Sequence, residues 1–425
     1  MPALKVVQDF NHPVSPLDAL KHQPGAVWAV AFAAVVSFMG VGLVDPILPS
    51  IAEQLHATQT QSELLFTTYL ALTGVAMFFT SWVSSRLGAR NTLLIGLTVV
   101  ILFSTACSLS PAVAPIIGFR AGWGIGNALF VSTALAAMVS AATGGSAAAI
   151  ILYETSLGIG FAVGPLTGGL LGSVSWRVPF AGTATLMAVA IVAVAIKLKG
   201  GKGKLNAQPV PVSAPFKALR DPGMGTIGAA AFFYNMAFFT TLAFPPFLLA
   251  RLGGDDPITI GTVFFGWGGM LAVSAVFVAP RLARSMRRTS ILIMAETLLA
   301  VILVACALLS WSIAGITVCV ILAGIPLGLL NTVLTECSME VSDVPRPVAS
   351  SAYSGCRFLG GAIAPPLCTL LAGLAAVWVP FVYGAAMILV SAGIIVVRRS
   401  RLARADGLQE DDLEQAEDIE LALAA

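Results

Sequence analysis

Charge is what this sequence lacks most. Only 10% of its 425 residues are Asp, Glu, Lys or Arg, against about 25% in soluble domains. That is too little polar surface to cover a water-soluble core of this size. The formal net charge of +2 is too small for a nucleic-acid footprint, so no nucleic-acid partner is expected. Histidine is scarce too. His12, His22 and His56 all lie outside the apolar segments, which leaves carboxylates as the only proton carriers within them. The six cysteines (Cys107, Cys306, Cys319, Cys337, Cys356, Cys368) form no CxxC pair and read as small buried hydrophobes, with no metal expected. No nucleophile–base pair, metal cluster or phosphate loop appears, so an enzyme is the least favoured class and no cofactor is expected. The polar first 24 residues contain Pro13, Pro16 and Pro24 and no apolar run ending in a cleavage site. They read as a cytoplasmic tail rather than a signal peptide.

Apolar residues are abundant, at 57% of the chain. A bilayer core needs roughly 20 apolar residues per helix. Twelve such segments are predicted near 25–47, 62–83, 91–109, 114–140, 146–172, 178–198, 223–248, 259–279, 289–310, 313–338, 348–373 and 376–397. Barrel strands would alternate in polarity and these runs do not, so the fold class is an all-α integral membrane protein. Lysine and arginine set the orientation. Arg86 and Arg90, the linker lysines and Arg220, Arg281 to Arg288, and Arg398 to Arg404 share one side with the N-terminus, whereas outside loops keep only Arg177 and Arg251. Both termini are therefore expected in the cytoplasm of a cell-membrane protein. The predicted organisation is a tail (1–24), a six-helix bundle (25–198), a basic linker (199–222), a second bundle (223–397) and a cytoplasmic tail (398–425) that is acidic from Asp406 to Glu420.

The two bundles repeat with an offset near 200 residues. Arg86 to Arg90 before an apolar run is echoed by Arg284 to Arg288. Gly124-Ile125-Gly126-Asn127 is echoed by Gly328-Leu329-Leu330-Asn331, and Tyr153 with Pro165 by Tyr353 with Pro365. Three matches in one order indicate duplication.

Four motifs stand out. Arg86, Gly88 and Arg90 sit in Ser81-Trp82-Val83-Ser84-Ser85-Arg86-Leu87-Gly88-Ala89-Arg90 after the second segment. Arg120 opens Arg120-Ala121-Gly122-Trp123-Gly124-Ile125-Gly126 in the fourth; a buried arginine costs about 2.5–3.5 kcal/mol even on insertion scales, so it calls for a polar cavity or a carboxylate. Gly160, Gly164, Pro165, Gly168 and Gly169 form G-x-x-x-G-P-x-x-G-G in the fifth, and Asp45 begins Asp45-Pro46-Ile47-Leu48-Pro49 near the outer end of the first. Together these resemble the major facilitator superfamily, and within it the twelve-helix drug/proton antiporters, over nearly all of residues 25–397.

The resemblance implies two pseudo-symmetric six-helix bundles around a central cavity that opens alternately to each side. It makes Arg86, Gly88 and Arg90 part of a cytoplasmic gate, although Ser81 and Ser85 stand where that signature has glycine and aspartate. It makes the fifth-helix motif the exporter signature, and Asp45 a protonated acid beside Arg120. Positive-inside anchoring, snorkelling, helix capping and ordinary glycine packing remain the structural alternatives.

Glu154 lies roughly 10 Å into the fifth segment, and Arg357 occupies a comparable depth in the eleventh. Asp45, Glu154 and Arg120 are the candidates for proton coupling. Trp123, Asn127, Tyr234, Asn235, Asn331 and Arg357 are those for the substrate cavity, with Phe232 and Phe233 as further aromatic wall. Glu296 and Glu336 read as structural. The expected function is proton-driven export of a small amphipathic molecule (drug, siderophore or other metabolite) by a monomer in the bilayer, with the proton gradient as energy source. A proton-linked importer of sugars or organic anions is the transport alternative, and a non-transporting receptor the alternative from another class.

Overall fold

The structure is a computed structural model that describes residues 23–143, 145–198, 209–254 and 256–407. Among these residues, twelve helices are long and apolar enough to cross a bilayer. They are α1 Gly25–Gly42, α2 Gln59–Leu87, α3 Ala89–Leu109, α4 Val113–Ala141, α5 Gly145–Gly172 and α6 Arg177–Lys197 in the first half. The second half holds α7 Pro222–Ala243, α8 Pro257–Val273, α9 Arg288–Leu308, α10 Ile313–Glu340, α11 Arg346–Leu374 and α12 Val379–Val397. Short helices prolong α1 (Leu48–Gln54), α7 (Pro245–Arg251) and, through a π turn, α8 (Ala279–Leu282). The tails at 1–22 and 408–425 and linker residues 199–208 lie outside the described residues.

Local chemistry sets the helix ends. Thr58 and Gln61 form a capping box on α2, and Asp221 and Ser312 accept the first free amides of α7 and α10. Asp256 does the same for α8, and its bonds from Thr259 hold its carboxyl below the usual range. α2 turns into α3 through a single residue, Gly88, whose φ of 79° favours glycine.

The duplication is visible in the packing. α1 lies against α5 and α6, α2 against α4, and α3 against α4 and α6. The same pairs recur six helices later, as α7 with α11 and α12, α8 with α10, and α9 with α10 and α12. The echo Gly124/Gly328 is matched in detail. A Cβ at Gly124 would meet the Tyr69 carbonyl of α2 at 2.5 Å, and one at Gly328 the Leu271 carbonyl of α8 at 2.3 Å. The halves meet along two long seams, α2 with α11 and α5 with α8. Helices α3, α6, α9 and α12 carry exposed apolar side chains such as Leu102, Val189, Val301 and Leu389, as lipid-facing helices should. Among the buried charged residues described, Arg120, Glu154, Glu336 and Arg357 lie on α4, α5, α10 and α11, and Glu296 alone lies on an outer helix, α9.

Helix α5 is held from two sides. A Cβ at Gly164 would stand 2.8 Å from the Met39 carbonyl oxygen, and one at Gly168 2.4 Å from that of Leu43, so α1 lies directly on the α5 backbone. On the other side, Gly268 of α8 brings that helix against Ala162. The motif Gly160, Gly164, Pro165, Gly168 and Gly169 is buried throughout, and in this conformation the stripe that includes Gly160, Gly164 and Gly168 serves close α1–α5 contact.

Candidate functional site

Glu154 stands nine residues into α5 and is fully buried. An acid in that position is costly unless it is paired. Its partner comes from the other half: Arg357 Nη1 of α11 lies 3.8 Å from Glu154 Oε1. Thr335 of α10 donates to the same oxygen at 2.8 Å, and the Tyr353 hydroxyl lies 3.3 Å from Thr335 Oγ1. Arg357 Nη2 also donates to Asn331 Oδ1 at 2.7 Å, and that oxygen accepts the Tyr234 hydroxyl at 2.7 Å. Four helices, α5, α7, α10 and α11, thus converge on one polar knot. Among the described residues, Glu154–Arg357 is the only ion pair that joins the two halves.

The knot is incompletely satisfied. Glu154 Oε2, Asn331 Nδ2 and Arg357 Nε have no hydrogen-bond partner among the described residues. In the first half, Asn127 accepts a hydrogen bond from Ser37 of α1, and its Nδ2 is likewise unpartnered. Each unmatched polar atom costs about 1–3 kcal/mol when buried. Such atoms mark where a ligand or water gains most by binding. Aromatic rings adjoin the knot: Phe38 contacts Tyr153 and Phe161, and Phe161 contacts Phe238 of α7 and Trp267 of α8 in the other half, all with centroids 5.5–5.9 Å apart.

Arg120 occupies a second buried position. It donates to the carbonyls of Leu65 on α2 (3.1 Å) and Gly40 on α1 (3.4 Å) and lies over the rings of Tyr69 and Trp123. Gly40 precedes Asp45 by five residues, and Asp45 begins a short 3-10 turn at the end of α1. The side chain of Asp45 falls outside those described, so its pairing with Arg120 does too. Trp123 packs between Tyr69, Phe180 and Arg120, inside the first half and away from the seam. Asn235 donates back to Ala231 of its own helix and does not join the knot.

The structure thus brings Glu154, Arg357, Asn331 and Tyr234 together, and sets Arg120 and Trp123 apart. Thr335 and Tyr353 complete the knot unforeseen. Thr335 is one helical turn beyond Asn331 on the same face, a spacing that could have pointed to it. Glu296 is buried against Ser391 of α12, and Glu336 is bound by Arg288 at 3.3 Å; neither touches the knot.

Side-chain contacts join the two halves at both ends of the interface. On the linker face, Thr80 and Ser351 share a 2.7 Å hydrogen bond and Ser350 donates to the Ser132 carbonyl. On the opposite face, Phe66 meets Phe239 at 6.1 Å. A recess of about 340 Å³ there is lined by Phe244, Phe247, Leu248, Arg251 and Thr369 and by none of the knot residues. At the linker face, Arg90 caps α6 through the carbonyls of Ala195 and Leu198, at 3.0 and 2.7 Å, while Arg86 lies over the Trp82 ring.

Known proteins resemble this chain in sequence and in fold. The chain is 45% identical over 395 residues to the multidrug efflux protein YfmO of Bacillus subtilis (strain 168), covering 93% of this chain and 98% of that one. It is 31% identical over 172 residues to the tetracenomycin C resistance and export protein of Streptomyces glaucescens, covering 39% and 31% of the two chains. The crystal structure of the human organic anion transporter MFSD10 (TETRAN) superposes with a TM-score of 0.73 at 15% identity, over 87% of this chain and 99% of that one; this likeness concerns the fold alone. Residues 30–365 match the family profile described as Major Facilitator Superfamily, and with twelve spanning helices in two matching halves the chain belongs to that superfamily of membrane transporters.

Proposed function

We propose that this protein exports small amphipathic molecules across the cell membrane in exchange for protons, with both termini in the cytoplasm. The observation that carries the reading is the Glu154–Arg357 pair across the seam. With Glu154 ionised, the attraction holds the halves together around the knot. A proton arriving on the open Oε2 neutralises the acid and removes that link, while Arg357 keeps its bond to Asn331. The halves can then part. Returning the proton to the other side restores the pair and closes the cycle, so one proton crosses for each switch.

Asn127, Asn331 and Arg357 would offer polar contacts to substrate, and Phe38, Phe161, Phe238 and Trp267 an apolar wall. That combination suits an amphipathic solute and agrees with relatives named for multidrug efflux and for resistance and export. Asp45 with Arg120 would form a second proton-sensitive pair toward the opposite face. The glycine-rich α5 seam would let α1 and α8 slide on α5 during switching. The test is a deletion strain exposed to a panel of amphipathic compounds, with intracellular accumulation measured. Accumulation of at least one compound should rise several-fold and fall again on complementation. A strain indistinguishable from its parent over the whole panel would argue against export.

A further inference from the structure

The gate signature that Ser85 interrupts has a different occupant here. Ser85 Oγ donates to the Trp82 carbonyl and accepts the amide of Val210, in the linker, at 3.2 Å. Six residues on, Phe216 stacks face to face on Phe78 of α2, with centroids 4.9 Å apart and planes 11° from parallel. Phe78 in turn lies against Gly355 of α11, where a Cβ would stand 2.4 Å from the ring. One ring of the first half is thus wedged between the linker and the second half, at the linker-face end of the α2–α11 seam.

The next residues of the linker are fixed to the second half alone. Leu219 lies against Gly228 of α7, where a Cβ would meet its Cδ2 at 2.7 Å. Asp221 caps the same helix by accepting the amide of Met224. The segment therefore has one end built into the second half and two grips, Val210 and Phe216, on the first. When the halves separate on this face, α2 moves away from α7 and both grips must break.

We infer that residues 209–218 are a strap that holds the linker-face gate shut, with Ser85 and Phe78 as its docking points. A serine suits this use, because its oxygen accepts a backbone amide without placing a charge beside the linker. The strap rests on the two-half switching motion proposed above but not on what drives it, and it is read by a distance that needs neither substrate nor proton gradient.

The test uses purified full-length protein with spin labels at Asn91→Cys and Arg346→Cys, exposed positions on opposite sides of the seam, and pulsed electron–electron distance measurements. An aromatic stack contributes about 0.5–1.5 kcal/mol, so Phe216→Ala should raise the long-distance population about two- to tenfold. Phe216→Tyr, which keeps the ring, should retain the parent distribution, and Ser85→Ala should shift it in the same direction as Phe216→Ala. If Phe216→Ala does not fold, Ser85→Ala decides alone. An unchanged distribution in the deciding Ala variant overturns the strap, as does an equal shift in Phe216→Tyr. Because no transport is measured, failure of export or proton coupling leaves this outcome unaffected.

Discussion

Replacing Glu154 by glutamine is the perturbation from which the structure predicts most. The side chain keeps its shape, and its amide oxygen can still accept the Thr335 hydroxyl. What disappears is the charge facing Arg357. At 3.8 Å and an effective dielectric constant of about 20, that attraction is about 4 kcal/mol, nearly three powers of ten in the equilibrium between joined and parted halves. Breaking a buried pair from one side costs about 3–5 kcal/mol because the remaining charge is stranded. Here Asn331 still holds Arg357, so the loss in folding stability should sit at the low end. The variant is expected to be made and inserted, yet to mimic the protonated acid permanently. In reconstituted vesicles, gradient-driven accumulation should fall at least a hundredfold, while exchange of labelled for unlabelled substrate persists. Glu154→Gln/Arg357→Gln should be more stable than Arg357→Gln, since it strands no carboxylate. Wild-type accumulation by Glu154→Gln at normal yield would return Glu154 to a structural role.

Other expectations follow from other contacts. Glu296→Gln should leave transport within about threefold of the parent, because its neighbour Ser391 offers only a hydroxyl; a loss equal to that of Glu154→Gln would make it part of the proton path. Arg90→Ala removes two hydrogen bonds from the end of α6 and should lower stability by about 1.5–3 kcal/mol, read as a fall in melting temperature in detergent. Gly168→Ala should cost about 1–3 kcal/mol by overpacking, since its Cβ would stand 2.4 Å from the Leu43 carbonyl, whereas Gly118→Ala, which meets nothing within 4 Å, should be neutral. Asp45→Asn is expected to abolish coupled transport while sparing substrate binding, checked by binding and flux on one preparation.

The spans, the two halves and their repeat were legible because apolar length and glycine placement are local properties. The glycine spacing on α5 was legible for the same reason, whereas the caps at Thr58, Asp221, Asp256 and Ser312 were not picked out in the sequence. Glu154 and Arg357 were each visible as costly charges at similar depth, but their meeting was not: it depends on how α5 of one half faces α11 of the other, which no spacing within a helix encodes. Thr335 was hidden because a threonine in a helix usually bonds its own backbone, as Thr332 does to Gly328. As an aromatic on the same helix as Asn127, Trp123 is a cavity candidate in the sequence; only tertiary packing shows that it lies against Arg120 within the first half. The departure at Ser85 was plain in the sequence, and its bond to Val210 required the linker to be placed.

Direction and driving force together are the core of the functional account, and one measurement reads both. Inside-out membrane vesicles carrying the protein are loaded so that their lumen, the former outside, is acid. A compound identified in the deletion-strain panel is then added outside. Uptake into the lumen should grow with the pH difference and collapse on adding a protonophore. Uptake indifferent to the protonophore, or movement of the compound out of the lumen under the same gradient, would contradict proton-driven export.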